Sequence, residues 1–436
     1  MDPNSIRFQQ YQKRLDADKE SFLFDVQLWS DALPAGTHIK HHVSQFHDLC
    51  EQAIKCLEEE YEKKGPSEAQ DKKLTFRSSV VGALSAQWAA LRQAAEQRLP
   101  EHPYQARLVE LDEKAARYYW RIRQAIPERT REKISKSPPL TYLGRGANLT
   151  LIQPGMPSLL GVPFGAINTG NPLSTQLTEN TIPHEVAHAV LNQISNFVFD
   201  LESKTQQVLR KNIDGADPAN PSSTLPLNQR EILHGTFRKW LNEVVADLVG
   251  TALAGREFVE SAVHVMIAPD EAVTLSEDDH PVAIIRPFIH LEAMRSLSKD
   301  GAALMDDVNR VLKSLKELIE RTSGDYVRQL FHPSNNLTVL QLNAVRDELV
   351  WIVRQLLTIK LDAFDDSLEA FLKTCSAPMA EYAKMEVKDL PQWGAEGNIN
   401  CDGLALRLLS PVSTQHSTPF TYPYDPCCWI GWNWCC

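Results

Sequence analysis

The stretch "TIPHEVAHAVLNQI", residues 181–194, constrains this chain more than any other. It is apolar enough to be buried, yet it carries two histidines four residues apart and a glutamate directly after the first. On a helix, positions i and i+4 share one face, one turn apart, so His184 and His188 can aim two imidazoles at one point. Glu185 is rotated by about 100° from His184 and flanks that point without having to join it. Thr181 is placed to be the N-cap, and Pro183 is tolerated in the first turn. A buried helix with three ionisable groups needs something to satisfy them, and a metal ion is one answer.

Zinc bound for catalysis takes three protein ligands and keeps a fourth position open. A third histidine six residues past His188, after a glycine, is excluded: those positions are Ile194 and Leu191. A glutamate from a second helix is the other option, and "WLNEVVADLVG" supplies it as Glu243, with Asp247 one turn later on the same face. Trp240, Leu241, Val244, Val245, Leu248 and Val249 would bury that helix too. Two carboxylates on so apolar a helix again call for a reason. Glu243 completes a set of two histidines and one glutamate. Asp247 can accept a hydrogen bond from the ring nitrogen that a ligating histidine turns away from the metal.

"HEVAH" followed by "NEVVAD" resembles the HExxH…NExxxD pattern of the gluzincin metallopeptidases, the thermolysin-like group. The resemblance covers roughly a quarter of the chain. It implies a zincin-like catalytic core and one zinc ion per chain, held by His184, His188 and Glu243. It makes Glu185 the general base and Asp247 the residue that orients a ligand. The segment "HPVAIIR" is similar to a His-Pro-x4-Arg segment of some other gluzincins, including membrane-embedded CAAX endopeptidases. It implies that His280 binds the oxyanion and that Arg286 holds the loop or a carboxylate. The implied reaction is hydrolysis of peptide bonds, most simply as an endopeptidase, in protein or peptide substrates. Zinc would polarise the carbonyl and activate a water whose proton Glu185 takes, with no covalent nucleophile. The alternative is a catalytically silent scaffold or regulatory binding protein on the same fold. The intact Glu185 argues against that alternative, because a purely structural site needs no base there.

Around this core the periodicity is helical. The expected fold is mainly α with a small β-sheet, a zincin-like core flanked by N- and C-terminal helical regions. Residues 1–137 read as an N-terminal helical region and 138–295 as the core. Residues 296–390 read as a C-terminal helical region, with "TVLQLNAVRDELVWIVRQLLTIKLDAF" as one long helix, and 391–436 as an irregular Cys- and Trp-containing tail. Strands are expected at Leu140–Tyr142, Leu149–Ile152 and Val162–Ile167. "SLLGVPFGAIN" is either an edge that takes an extended peptide or a buried connecting strand. The polar run 211–230 reads as an inserted loop, because the gap from His188 to Glu243 is longer than in thermolysin-like enzymes. "EILHGTFRKWLNEVVADLVGTAL" reads as one helix and "GREFVESAVHVMIAP" as a third. His234 is expected to be structural or at the surface, and His264 and His290 to be packing residues.

With a net charge of −11, 43% hydrophobic and 23% charged residues, the chain has no electrostatic case for nucleic acid. No run of roughly 18 apolar residues suggests a membrane span, and no secretory leader pattern opens the chain, so the expected location is the cytoplasm. The eight cysteines, four of them in "DPCCWIGWNWCC", form no disulfide framework. No cofactor other than zinc is expected.

Overall fold

The computed structural model describes residues 3–35, 37–63, 81–82, 84–85, 88–89, 91–99, 101–132, 134, 138–142, 150–152, 166–168, 179–213, 225–266, 274–275, 281, 285–297, 309–310, 313, 326–330 and 337–377. These residues are mainly helical, with small sheets. In chain order the elements are α1 (Pro3–Ala32), α2 (His38–Lys63), α3 (Gln105–Ala125), α4 (Glu128–Arg131), β1 (Leu140–Tyr142), β2 (Thr150–Ile152) and β3 (Ala166–Asn168). Next come α5 (Ile182–Leu191), α6 (Phe197–Ile213), α7 (Leu227–Lys239), α8 (Leu241–Met266), β4 (Thr274–Leu275) and α9 (Arg286–Leu297). The last are β5 (Tyr326–Leu330), β6 (Leu337–Gln341), α10 (Leu342–Thr358), β7 (Lys360–Leu361), β8 (Asp366–Ser367) and α11 (Leu368–Ser376). None of the described helices is long and apolar enough to cross a membrane.

One apolar core runs from Leu108 on α3 to Cys375 on α11. The two helices quoted above lie at its centre. Every residue of α5 is buried, and Leu241, Val244, Val245, Ala246, Leu248 and Val249 bury the N-terminal part of α8. A helix that is apolar all round belongs in an interior, which is where the folding places both. α3 is amphipathic instead: Leu108, Leu111, Ala115, Tyr119 and Ile122 recur at helical spacing and turn one stripe to the core, against α5. α9 and α11 also pack on α8, and α10 packs in turn on α9 and α11.

α1 and α2 pair with each other. Phe22 meets Phe46 edge-on at 6.4 Å, and Phe46 stacks on Trp88 at 5.9 Å. The tie to the core is polar. The buried Arg98 holds Asp112 of α3 through Nε (3.0 Å) and Nη2 (2.7 Å) and also donates to Thr141 O (2.6 Å). Asp112 Oδ1 in turn accepts from the N–H and hydroxyl of Thr141, both at 2.8 Å. His42 Nε2 lies 2.8 Å from Pro138 O.

Strands lie at Leu140–Tyr142 and Thr150–Ile152, as expected, and at Ala166–Asn168, which shares only Ala166 and Ile167 with the expected Val162–Ile167, whose first four residues lie outside the described ones. They form a sheet of order β1-β3-β2, with β3 parallel to β1 (Thr141 opposite Ile167) and antiparallel to β2 (Leu151 opposite Ile167). Ala166–Asn168 is therefore the middle strand, paired on both sides, and cannot itself take up an extended peptide. The rest of "SLLGVPFGAIN" lies outside the described residues, as does the tail beyond residue 377.

Other expectations need correction. Of the run 211–230 expected as a loop, residues 211–213 end α6 and 227–230 begin α7, while 214–224 lie outside the described residues. The helix expected from Glu231 to Leu253 is two: the chain breaks at Trp240, which ends α7 with φ −87° and ψ −4° while its carbonyl accepts from Val244 N at the start of α8. Trp240 is fully buried, so tertiary packing of its indole overrides a sequence with no glycine or proline to mark the break. The C-terminal region is not helical throughout: β6 pairs antiparallel with β5, Arg328 opposite Val339, so "LTVLQ" is extended before α10 starts. Its β-branched and aliphatic run favours a pleated partner.

The expected boundary before "GREF" is real as a kink. Gly255 takes φ +56° and ψ −133°, a conformation only glycine adopts without strain. Arg121 of α3 caps this break, donating to Leu253 O (2.8 Å) and to Cys375 O (2.6 Å) at the end of α11.

Candidate metal centre

α5 begins as the sequence suggests, with Thr181 at the N-cap and Pro183 in the first turn, although the Thr181 side chain makes no capping bond. Neighbouring polar contacts fix this end. Lys114 Nζ donates to Asn180 Oδ1 (3.1 Å), Asn180 Nδ2 donates to Ser261 Oγ (3.2 Å), and Arg107 pairs with Glu179. α5 is thereby held between α3 and α8.

From this helix His184 and His188 project toward Glu243 in the first turn of α8. His184 Nε2 lies 3.1 Å from His188 Nε2 and 3.2 Å from Glu243 Oε2, and His188 Nε2 lies 3.1 Å from Glu243 Oε1. Ligand atoms about 2.0–2.1 Å from a tetrahedral zinc stand about 3.3 Å from one another, so this triangle has the size of one face of such a site. The donor set fits as well. Two imidazole nitrogens and a carboxylate crowd one point at exposures of 5, 6 and 8%, an arrangement of electron pairs that only a cation stabilises.

A proton can play that part in the absence of metal, and the site's electrostatics show it. Burial alone would lower the pKa of His184, but Asp247 and Glu243 more than offset it and raise it to about 10. Burial alone would raise Glu243, yet His184 and His188 hold it far below the usual carboxylate range. A metal ion entering here must displace that proton.

Asp247, one turn after Glu243, is wholly buried. Its Oδ1 lies 2.9 Å from His184 Nδ1, within ion-pair distance. Arg286, the first residue of α9, grips the same carboxylate with two prongs, Nε to Oδ2 at 2.8 Å and Nη2 to Oδ1 at 2.6 Å. Although burial pushes Asp247 upward, Arg286 and the neighbouring His290 and His184 outweigh it and hold the carboxyl well below its ordinary range. Of the two alternatives for Arg286, then, the carboxylate is the one it holds. His280 lies outside the described residues.

Glu185 is buried beside the ligands. Among the described residues no hydrogen bond or ion pair holds its carboxylate, in contrast to Glu243 and Asp247.

The sequence reading missed one part of this network. His290 is buried and packs edge-on to Phe258 (5.2 Å, 84°), as expected of a packing residue. It also faces Thr251 Oγ1 through Nδ1 (3.1 Å) and Asp247 Oδ2 through Nε2 (3.9 Å). The available signal was the spacing: His290 follows Arg286 by four residues, as Thr251 follows Asp247. His234 is buried rather than at the surface, with Nε2 2.7 Å from Glu348 Oε1 and its ring stacked on Trp351 (11° between planes). His264 falls within α8, but its side chain lies outside the described residues.

No protein-family profile, curated protein or solved structure matches the chain. The site's chemistry is therefore read from its own residues. His184, His188 and Glu243 are joined among the described residues by only one other cluster with possible ligand geometry, the half-buried to exposed His47, Asp48 and Glu51 on α2. Exposed groups of that kind carry no cost that a metal must offset.

Proposed function

We propose that this chain is a zinc-dependent metallopeptidase with a zincin-like core, acting on protein or peptide substrates. The observation that carries the reading is the meeting of His184, His188 and Glu243 at 3.1–3.2 Å in a buried site, with Asp247 placed behind His184. In this reading α5 and α8 with the β1-β3-β2 sheet form the core, and helices from the N- and C-terminal regions flank it.

The three ligands would hold one zinc, which when bound supplies Lewis acidity toward a substrate carbonyl. Asp247 keeps the proton of His184 on Nδ1, so that Nε2 presents its lone pair inward. Arg286 fixes Asp247. Glu185, which no hydrogen bond or ion pair holds among the described residues, would take a proton from the attacking water and return it to the leaving amine. In this reading His280 serves the oxyanion. The buried free thiols Cys50 and Cys375 support a cytoplasmic location, where thiols stay reduced.

The discriminating experiment is Glu185→Gln, which keeps the volume and removes the base. Zinc should remain bound, while cleavage of an identified substrate falls by at least about 10²-fold. Equal cleavage by both proteins removes Glu185 from the reaction, and wild-type zinc protein that cleaves nothing in a proteome-wide profile favours the scaffold.

A further inference from the structure

α8 and α9 face each other across an otherwise apolar interface through two polar layers. Asp247 and Thr251 are one turn apart on α8, and Arg286 and His290 are one turn apart on α9. Asp247 meets Arg286 in the first layer, and Thr251 meets His290 in the second. The second layer is farther from the metal ligands and is closed to water: His290 is 0% and Thr251 1% exposed. A leucine or phenylalanine would fill the volume of His290 with no polar atom to satisfy, so the imidazole calls for an account of its own.

The proton count of this layer has two solutions. Thr251 owns one hydroxyl proton and has two acceptors near it, Asp247 O at 2.8 Å and His290 Nδ1 at 3.1 Å. If His290 carries its proton on Nδ1, Thr251 donates to Asp247 O. The bare Nε2 lone pair then faces the buried carboxylate at 3.9 Å, with no partner of its own. If the proton is on Nε2, it lies on the side of Oδ2, at an N···O separation of 3.9 Å that is longer than a hydrogen bond, and Thr251 turns its proton to Nδ1. The carbonyl that Thr251 releases is one turn into an intact helix, and its own ladder still serves it. Beside a full carboxylate charge in a dry site, the second solution is the favourable one.

We propose that His290 is a positioning residue for the metal centre: protonated on Nε2 and keyed by Thr251, it turns the positive end of its N–H dipole toward Asp247 Oδ2 and keeps the carboxylate turned so that Oδ1 serves His184. This rests on the metal-site reading above. Arg286 spans both oxygens of Asp247 from the end of a long side chain, so the guanidinium can follow the carboxylate as it turns about its Cβ–Cγ bond. His290 on the side of Oδ2 opposes that turn, which would otherwise carry Oδ1 away from the ring of His184. Residues that orient a ligand in this way are worth about 10- to 100-fold in metal affinity.

The test compares His290→Phe, which keeps an aromatic ring against Phe258, with His290→Gln, which restores an N–H near the Nε2 position. Zinc affinity is measured by chelator competition on the full chain, with the urea midpoint of the chelated protein recorded alongside. His290→Phe should bind zinc about tenfold or more weakly while its chelated form stays folded, and His290→Gln should recover most of that loss. Wild-type affinity in His290→Phe, or no recovery in a folded His290→Gln, overturns the role. Should His290→Phe fail to fold, Thr251→Val carries the test: it keeps the shape, removes the hydroxyl that sets the tautomer, and should also weaken zinc binding. Wild-type affinity there overturns the proposal.

A readout independent of metal comes from the ¹⁵N-histidine spectrum of the chelated wild type, in which the His290 proton should sit on Nε2. A proton on Nδ1 overturns the proposal whatever the zinc result. Wild-type protein that takes up no zinc at all takes down the metal reading and this role with it, whereas zinc bound equally by wild type and His290→Phe takes down only this role.

Discussion

Arg286→Met isolates the buried ion pair behind the metal site. Methionine keeps much of the side chain's length and apolar contact and removes the guanidinium. Asp247 is 0% exposed, and Arg286 supplies two charge-assisted hydrogen bonds to it at 2.8 and 2.6 Å. Removing one partner of such a pair leaves Asp247 beside only the protonated His184 that it shares with Glu243, at a cost of about 3 kcal/mol, the lower end for a broken buried pair. The ratio of folded to unfolded protein should therefore fall by about 100-fold or more. The double variant Asp247→Asn/Arg286→Met removes both charges and should recover about 2 kcal/mol or more of the loss, because an amide in that position is far cheaper to bury than a carboxylate. The assay is urea unfolding at pH 7, followed by circular dichroism and tryptophan fluorescence. A chelator must be present, since bound metal would add its own stabilisation. A loss below about 1 kcal/mol in the single variant, or a double variant no more stable than the single one, would refute the claim that Arg286 neutralises a buried Asp247.

Two other substitutions probe the same framework. Asp247→Asn keeps the shape and removes the charge that holds the proton on His184 Nδ1, so zinc affinity should drop by about 10- to 100-fold; an unchanged chelator-competition curve would show that Asp247 does not act on the ligand. At Gly250 an added Cβ would stand 2.6 Å from Cζ of Phe258, a fully buried ring pressed against His290. Gly250→Ala should therefore cost about 1–3 kcal/mol by overpacking, read as a lower urea midpoint, and a wild-type midpoint would mean that the ring yields freely.

The site was legible where its chemistry follows helical spacing within a single element. His184 and His188 share a face because they are four apart, as do Glu243 and Asp247, and carboxylates on strongly apolar helices announce a partner. Arg286 was legible through a short motif, although only the fold decides that it holds a carboxylate. His290 was not, since a histidine in an apolar helix reads as packing until the facing helix is known. Its role depends on the register of α9 against α8, a tertiary fact.

The fold shows the same division. The kink at Gly255 was marked by its glycine, and the strand at Leu140–Tyr142 by its flanking prolines and apolar run. The break at Trp240 and the strand β6 were hidden, because burial of an indole and pairing with β5 decide them against the local helical pattern.

Zinc content of the purified full chain, measured against that of His184→Ala/His188→Ala, tests the central claim most directly. About one equivalent of zinc is expected in the wild type, and none above background in a folded double variant. Wild-type protein without zinc after exposure to it, or a double variant that retains a full equivalent, would contradict the account.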